Sequence, residues 1–220
     1  GIRSLGVDFK AGTAVGEKIS VEEIERGFDA VFIATGAHES RKLDIPGEDC
    51  QGVIHGVDFL RKHALGEETG LGANVAVVGG GNTAIDAART ALRLGARKVT
   101  ILYRRSRGEM PAEAGEIEAA LEEGVDLQYL AAPIRIIAEQ GVMKAVDCIR
   151  MELGEPDESG RRRPIPVKGS DFRVVADTLI PAISQSADRR LAALFGLKTT
   201  PWGAIEADEV TMAASRQGVF

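Results

Sequence analysis

One segment near position 80 constrains the fold more than any other part of the sequence. An apolar run at residues 75–78 has the character of a buried strand, and it stops at Gly79-Gly80-Gly81, directly before a helical pattern. Gly79, Gly81 and Ala84 occupy the small-residue positions of the pattern G-x-G-x-x-G/A. These positions allow a tight turn, a close approach of backbone to a pyrophosphate, and close packing of the helix on the strand. Because it lies between a strand signal and a helix signal, the pattern predicts a dinucleotide-binding turn.

Strand and helix patterns alternate on both sides of this turn. Strands are predicted at 74–78, 98–103 and 125–130, and helices at 82–94 and 111–123, with Pro111 opening the second helix. This β-α-β-α-β order implies a parallel sheet with right-handed crossovers.

The remaining patterns complete a prediction of the fold class. They indicate a buried strand at 28–36, a short helix at 57–64, a β-hairpin formed by 134–138 and 142–153, and a short helix at 188–195. Residues 173–183 read as a strand pair or one long buried strand. We therefore expect an α/β fold, a Rossmann-like three-layer parallel sheet with an antiparallel meander crossover.

The residue types after the second strand indicate which dinucleotide binds. A site that prefers NAD places an acidic residue about 20 residues beyond the first glycine, where it binds the ribose 2′-hydroxyl. This sequence instead has Arg104, Arg105 and Arg107 there, and no acid. Guanidinium groups match the oxygens of the 2′-phosphate, whose charge is about −2. The pattern favours NADPH, and the alternative is a solvated basic loop.

A second basic run, Arg161-Arg162-Arg163, lies in a polar, turn-rich stretch. Acidic residues at Glu155, Asp157 and Glu158 are near enough in sequence to neutralise it, so we interpret it as a solvated hairpin loop. The formal net charge of −6 also argues against nucleic acid as a partner.

Other features exclude several kinds of site. No apolar run reaches the roughly 20 residues of a membrane span, and the first residues show no signal peptide, so a cytoplasmic protein is expected. Cys50 and Cys148 form no C-x-x-C, and the histidines show no metal spacing, so we expect reduced thiols and no metal site. Both ends read as interior sequence, which predicts a fragment of a longer protein.

Taken together, the sequence resembles the NADPH-linked flavin subunit of bacterial glutamate synthase and its relatives, which include a region of dihydropyrimidine dehydrogenase and the larger subunit of NADH-dependent ferredoxin:NADP oxidoreductases. The segments that carry the resemblance are Phe28-Asp-Ala-Val-Phe-Ile-Ala-Thr-Gly36, Ile45-Pro-Gly-Glu48, Gly79-Gly-Gly-Asn-Thr-Ala-Ile-Asp86, Tyr103-Arg-Arg-Ser-Arg-Gly-Glu-Met-Pro111, Met151-Glu-Leu-Gly-Glu-Pro-Asp-Glu-Ser-Gly-Arg-Arg-Arg-Pro164, Gly169-Ser-Asp-Phe172, Ala176-Asp-Thr-Leu-Ile180 and Gly218-Val-Phe220.

The resemblance implies an FAD domain interrupted by an inserted NADPH domain. On this sequence, 1–65 would be the first FAD segment and crossover, 66–183 the NADPH domain, and 184–220 the start of the returning FAD segment. Hydride would pass from NADPH to FAD, and electrons would leave through iron–sulfur clusters outside this chain to the glutamate synthase large subunit or an equivalent electron-accepting subunit. The hydride step needs no protein acid, base or nucleophile, so no catalytic residue is predicted.

The resemblance also implies the cofactor-binding residues. The pyrophosphate would be held by Gly79, Gly80, Gly81, Asn82 and Thr83, and the 2′-phosphate by Arg104 and Arg105. The turn beside the flavin would be Ala34-Thr35-Gly36, and Gln185 would contact a cofactor.

The sequence departs from the family pattern at several points. Ser184 stands where the family has glycine, and it would be strained if the backbone there needs a positive φ. The glycine fingerprint of an FAD domain is absent, so the chain is expected to hold FAD poorly. The alternatives are a flavin disulfide reductase, a non-catalytic nucleotide-sensing module, and a short-chain dehydrogenase, the last disfavoured because Tyr-x-x-x-Lys is missing.

Overall fold

The computed structural model describes residues 2–157 and 160–220, so Gly1, Glu158 and Ser159 lie outside the described residues. The chain divides into two compact units, one made of the residues up to Glu39 with Gln185–Phe220, the other of Ser40–Ser184. In chain order, the helices and strands are α1 Val21–Gly27, β1 Glu39–Ser40, α2 Gly56–Ala64, β2 Asn74–Val78, α3 Asn82–Arg93, β3 Lys98–Tyr103, α4 Ala114–Glu122, β4 Asp126–Tyr129, β5 Ala131–Glu139, β6 Val142–Pro156, β7 Arg162–Pro166, β8 Phe172–Val175, β9 Thr178–Pro181, β10 Gln185–Ser186 and α5 Arg189–Leu194.

A four-stranded parallel sheet forms the centre of the larger unit. Its strand order is β4-β3-β2-β9, and Val77 in β2 lies opposite Ile101 in β3 and Ile180 in β9. Nearly every residue of these three strands is buried, which is typical of a parallel sheet covered on both faces. The predicted α/β fold with a parallel sheet is therefore confirmed.

Helix α3 packs on this sheet through small side chains. Ala84, Ala87, Ala88 and Ala91 are fully buried together with Ile85, and all five belong to one core cluster with strand residues of β2, β3 and β9. Alanine keeps the helix close to the sheet, which brings its first turn to the carboxyl end of β2.

The meander is a second, antiparallel sheet. Strand β6 lies between β5 and β8 over residues 145–148, and beyond them it pairs with β7 over residues 151–156. The β5–β6 turn is Gln140-Gly141, with φ values of 52° and 79°, and two positive φ values in a two-residue turn match the twist of a hairpin. The predicted hairpin is confirmed.

The segment 173–183 forms two strands, and they belong to different sheets. Strand β8 joins the antiparallel sheet and β9 joins the parallel one. Between them, the carboxylate of Asp177 accepts hydrogen bonds from the backbone N–H of Asn74, at 3.0 and 3.1 Å, and of Ala73 at 3.2 Å. These bonds fix the start of β2 beside the start of β9.

The prediction that Pro111 opens a helix was wrong, because α4 begins at Ala114. The N–H of Ala112 donates to the carbonyl oxygen of Gly80 at 3.1 Å, and the N–H of Glu113 donates to the Asn82 side-chain oxygen at 3.0 Å. The N–H groups of Ala112 and Glu113 are thus bonded to the segment 80–82. Helix α4 starts only after these two residues.

The smaller unit contains α1, α5 and a core that includes Val21, Phe195 and Val219. The Ser20 and Glu23 side chains form a capping box at the start of α1. The prediction of a buried strand at 28–36 was wrong: Phe28 and Phe32 are 63% and 73% exposed. Within the described residues, this segment pairs only briefly, with Gly218–Phe220 through Val31 and Ile33, so no extended strand forms.

No helix in the described part of the chain combines the length and apolar character that a membrane crossing requires.

Candidate nucleotide-binding site

The glycine turn joins the carboxyl end of β2 to the first turn of α3, and its glycines meet different surroundings. Gly79 has a φ of +148°, and a Cβ there would lie 2.3 Å from the carbonyl oxygen of Ala182 and 3.2 Å from the Cβ of Ala84. A Cβ on Gly80 would lie 2.4 Å from a ring carbon of Tyr103. These two positions need glycine because the protein itself fills the space beside them.

Gly81 differs from both, because a Cβ there would make only an ordinary van der Waals contact. A Cβ there would meet nothing closer than Cγ of Pro111 at 3.9 Å. Gly81 is the N-cap of α3 with φ −93° and ψ 176°, a conformation that other residues also adopt, and it contributes no side-chain cap. The first turn of α3 holds no acidic residue. No carboxylate of that turn therefore offsets the positive end of the helix dipole.

The two residues that open α3 extend the turn. The Asn82 side-chain oxygen accepts the N–H of Glu113, so this side chain holds the segment before α4. Thr83 lies beside the start of α2, with Cγ2 3.5 Å from where a Cβ on Gly56 would be. A pyrophosphate contact of Asn82 or Thr83 stays a prediction.

The three predicted arginines lie at and beyond the carboxyl end of β3, and their side chains are in different situations. Arg104 is exposed. Arg107 is also exposed and forms an ion pair with Glu118 of α4. Arg105 is only 5% exposed. The structure therefore presents Arg104 and Arg107 to solvent and turns Arg105 inward.

The Arg105 side chain is held by the β6–β7 hairpin. Its Nε donates to the carbonyl oxygen of Arg162 at 2.7 Å, and its Nη2 forms an ion pair with Asp157 at 2.6 Å. The sequence indicates that Asp157 lies near the run 161–163, but it does not indicate the contact with Arg105, because the two residues are 52 positions apart. Glu158, expected to act with Asp157, lies outside the described residues.

A second link joins the same loop and hairpin. The Glu109 carboxylate accepts a hydrogen bond from Nε of Arg162 at 2.7 Å and also from the backbone N–H and the hydroxyl of Ser106. The Ser106 bonds, and then Arg162, lower the pKa of Glu109 from its ordinary value. The Tyr103 hydroxyl donates to the Glu109 carbonyl oxygen at 2.6 Å, and burial raises the pKa of Tyr103. The sequence patterns gave no sign of this network.

The residues predicted to lie beside a flavin belong to the smaller unit. Ala34, Thr35 and Gly36 are exposed, and Gly36 has a φ of +72°. Gln185 is exposed in β10, and Ser184 before it does not take a positive φ, so its side chain causes no backbone strain. The flavin contact of these residues stays a prediction.

The two cysteines are free thiols. Burial raises the pKa of Cys148 to about 12 and raises the pKa of the half-buried Cys50. No group of three or more His, Cys, Asp or Glu side chains within 2–157 and 160–220 could hold a metal ion.

Comparison with known proteins finds a matching family and several relatives. The family model described as pyridine nucleotide-disulphide oxidoreductase matches residues 2–220. The β subunit of NADP(+)-dependent formate dehydrogenase from Moorella thermoacetica is 49% identical over 223 residues, which cover 100% of this chain and 31% of that protein. A putative glutamate synthase [NADPH] small chain from Cereibacter sphaeroides is 40% identical over 231 residues, covering 100% of this chain and 55% of that protein.

Among solved structures, Mycobacterium tuberculosis FprA in complex with NADPH has a TM-score of 0.66 at 20% identity, covering 90% of this chain and 57% of that chain. A likeness at this identity shows the fold. The chain spans about a third of the length of the formate dehydrogenase subunit and about half that of the glutamate synthase chain.

Proposed function

The chain belongs to the pyridine nucleotide-disulphide oxidoreductase family, and we propose that it contributes the NADPH-binding domain of a glutamate-synthase-type flavoprotein oxidoreductase. In the whole protein, FAD would accept the hydride that NADPH supplies. Iron–sulfur clusters outside this chain would carry the electrons to an electron-accepting subunit, the glutamate synthase large subunit or its equivalent.

One observation carries this proposal: Gly81 is the N-cap of α3, with no atom closer than 3.9 Å to where its Cβ would be, and the exposed Arg104 follows the neighbouring strand. Backbone N–H groups at the start of α3 and the helix dipole favour a pyrophosphate there. The carboxyl ends of adjacent parallel strands lie at the same edge of the sheet, which is where dinucleotides bind in this kind of fold. Arg104 is therefore the first candidate for the 2′-phosphate, with Arg107 as a second.

The domain assignment follows from the same proposal. Residues 66–183 form the NADPH domain, 1–65 the first FAD segment and crossover, and 184–220 the returning FAD segment. Ala34, Thr35, Gly36 and Gln185 are assigned to the flavin side. The described residues contain no second strand–glycine turn–helix that would take the FAD pyrophosphate, so no step at the flavin is derived from this chain.

The identity of the partner rests on the relatives. The formate dehydrogenase relative is named as a β subunit and the glutamate synthase relative as a small chain. Each name implies a further subunit in that enzyme, which supports an electron-accepting partner for the whole protein.

The flavin disulfide reductase alternative needs a reactive cysteine pair. Both cysteines of this chain are free, and burial raises the pKa of each, so neither is suited to nucleophilic thiol chemistry. A nucleotide-sensing module would use the same turn, and it predicts NADPH binding without any associated flavin.

The proposal is tested by calorimetric titration of the chain with NADPH and, in parallel, NADH. Arg104→Ala removes a charge-assisted contact to the 2′-phosphate, so NADPH affinity should fall by about 2–3 kcal/mol, roughly 30- to 150-fold, while NADH affinity stays unchanged. Lys98→Ala is the matched control, because Lys98 is an exposed cation at the opposite end of the same strand.

Two results would count against the proposal. Equal affinity of the unchanged chain for both nucleotides would remove the arginine assignment and NADPH preference. Binding of neither nucleotide would show that the glycine turn does not form a dinucleotide site in this chain.

A further inference from the structure

The β6–β7 hairpin contacts the loop 104–109 at two separate points. At the first, Asp157 and the Arg162 carbonyl oxygen hold the buried Arg105 side chain at 2.6 and 2.7 Å. At the second, the Arg162 side chain holds Glu109 at 2.7 Å. Arg162 therefore serves both contacts, one through its backbone and one through its guanidinium.

The hairpin can do this because of its own geometry. Pro156 at the end of β6 pairs with Arg162 at the start of β7, and the N–H of Asp157 donates to the Arg161 carbonyl oxygen at 2.8 Å. Asp157 and Arg162 are thus neighbours across the hairpin, and both reach the same loop.

The loop is also fixed from the parallel sheet. The Arg105 carbonyl oxygen accepts the N–H of Leu130, the residue after β4, at 3.1 Å. Leu130 has a φ of +53°, a conformation that a leucine adopts only when its surroundings hold it there. Arg105 is therefore held by two sets of contacts. Its backbone bonds to Leu130, and its side chain bonds to Asp157 and to the Arg162 carbonyl oxygen.

Arg104 lies between two held residues, Tyr103 and Arg105, and its own side chain is exposed. An arginine binds a phosphate more tightly when the loop that carries it is already ordered. Ordering that loop during binding would cost conformational entropy and reduce the affinity. Arg105 cannot reach a ligand in solvent without leaving Asp157. It is suited to orient its neighbour rather than to bind the nucleotide directly.

We propose that Asp157 is a positioning residue for nucleotide specificity: its ion pair with Arg105, together with the Arg162–Glu109 contact, fixes the loop that carries Arg104. This inference rests on the proposed NADPH site. It assigns to the β6–β7 hairpin, which contributes no predicted cofactor contact, a part in distinguishing NADPH from NADH.

The test is calorimetric titration of the unchanged chain, Asp157→Asn and Asp157→Glu with NADPH and NADH. We expect Asp157→Asn to weaken NADPH binding about tenfold, which is the lower end of the loss seen when a residue that supports a metal ligand is removed. NADH affinity should change by less than about twofold. Asp157→Glu keeps the charge and should restore most of the NADPH affinity.

The matched control is Asp147→Asn, which removes another carboxylate that is paired with arginine. Asp147 lies in β6, ten residues before Asp157. It should leave the ratio of NADPH to NADH affinity unchanged. Circular dichroism of each variant verifies that the fold is retained at the titration temperature.

Three results would overturn the inference while leaving the proposed function in place. Unchanged NADPH affinity in Asp157→Asn would show that the ion pair does not position the loop. An equal loss for both nucleotides would show a general structural role. Tighter NADPH binding would show that Asp157 competes with the 2′-phosphate for Arg105, which would then be a ligand. A lack of NADPH preference in the unchanged chain would instead remove the proposed function, and the inference with it.

Discussion

Gly79 and Ala182 approach each other so closely that a Cβ on residue 79 would lie 2.3 Å from the Ala182 carbonyl oxygen. Ala182 follows β9, and its N–H donates to the carbonyl oxygen of Val78 at 2.8 Å. The backbone at the end of β9 is therefore fixed against the turn and cannot move aside. Glycine at 79 is a requirement of the fold, independent of any ligand.

We predict that Gly79→Ala lowers the free energy of unfolding by about 3 kcal/mol, since backbone strain and overpacking each contribute ~1–3 kcal/mol. The obstacle is a backbone oxygen, which has no alternative rotamer. Chemical denaturation of the unchanged chain and of Gly79→Ala measures this loss of stability. The two denaturation midpoints are compared with the same m-value.

Gly115→Ala is a matched control for that experiment. Gly115 lies in α4, and a Cβ there would meet no atom within 4 Å. Alanine is the better helix former, so this variant should be more stable than the unchanged chain by about 0.5 kcal/mol. A similar loss of stability in both variants would contradict the role assigned to the Gly79–Ala182 contact.

Gly81→Ala should separate folding from binding. Its methyl group meets only Pro111, at 3.9 Å, and the backbone conformation suits alanine, so the free energy of unfolding should change by less than about 0.5 kcal/mol. The methyl group would enter the space proposed for the pyrophosphate, so NADPH affinity should fall at least about tenfold. Titration and denaturation of the same preparation check both statements, and undiminished NADPH binding would place the pyrophosphate elsewhere.

The elements that the sequence predicted correctly are those set by local patterns. Strand β2, helix α3 and the Gln140-Gly141 hairpin each follow from apolar periodicity or turn residues within a few positions of one another. The parallel order of β2, β3 and β4 then follows from their alternation with helices.

The features that the sequence did not predict depend on contacts between distant residues. The start of α4 depends on hydrogen bonds to Gly80 and Asn82, about 30 residues earlier, which no helix-start rule includes. The inward position of Arg105 depends on Asp157, and a run of arginines in sequence gives no indication of which guanidinium finds a buried partner. The strand, glycine turn and helix could be located from the sequence, whereas the different surroundings of the three arginines required the structure.

The carboxylate of Asp147 predicts a pH dependence of stability. On the antiparallel sheet it accepts hydrogen bonds from Arg173 at 2.7 Å and Arg135 at 2.6 Å, and these contacts, Arg173 first, lower its pKa from 3.8 to about 2. The folded pKa lies below the unfolded one, so the stabilisation is fully present above about pH 4 and is lost as the pH falls toward 2.

This contribution is measured as the difference in stability between the unchanged chain and Asp147→Asn. Both arginine side chains are more than half exposed, so solvent weakens the ion pairs and the difference should be about 1 kcal/mol at pH 6. It should shrink between pH 4 and pH 2, and also in 1 M salt. A difference that is constant from pH 6 to pH 2 would show that this carboxylate does not titrate with the lowered pKa.

The burial of the two cysteines predicts how fast each thiol is alkylated, and this rate tests the disulfide reductase alternative. Cys148 is buried in β6, and its pKa of about 12 leaves almost no thiolate at pH 8, whereas alkylation requires the thiolate. Iodoacetamide should therefore modify Cys148 at least about 100-fold more slowly than a free thiol in the folded chain, and at an ordinary rate in denaturant. Cys50 is half-buried with a raised pKa and should react at an intermediate rate.

Peptide mass spectrometry over a time course measures the modification of Cys148 and Cys50 separately. Rapid modification of Cys148 in the folded chain would show an accessible, reactive thiol and would favour a disulfide reductase over the proposed NADPH-linked electron-transfer role.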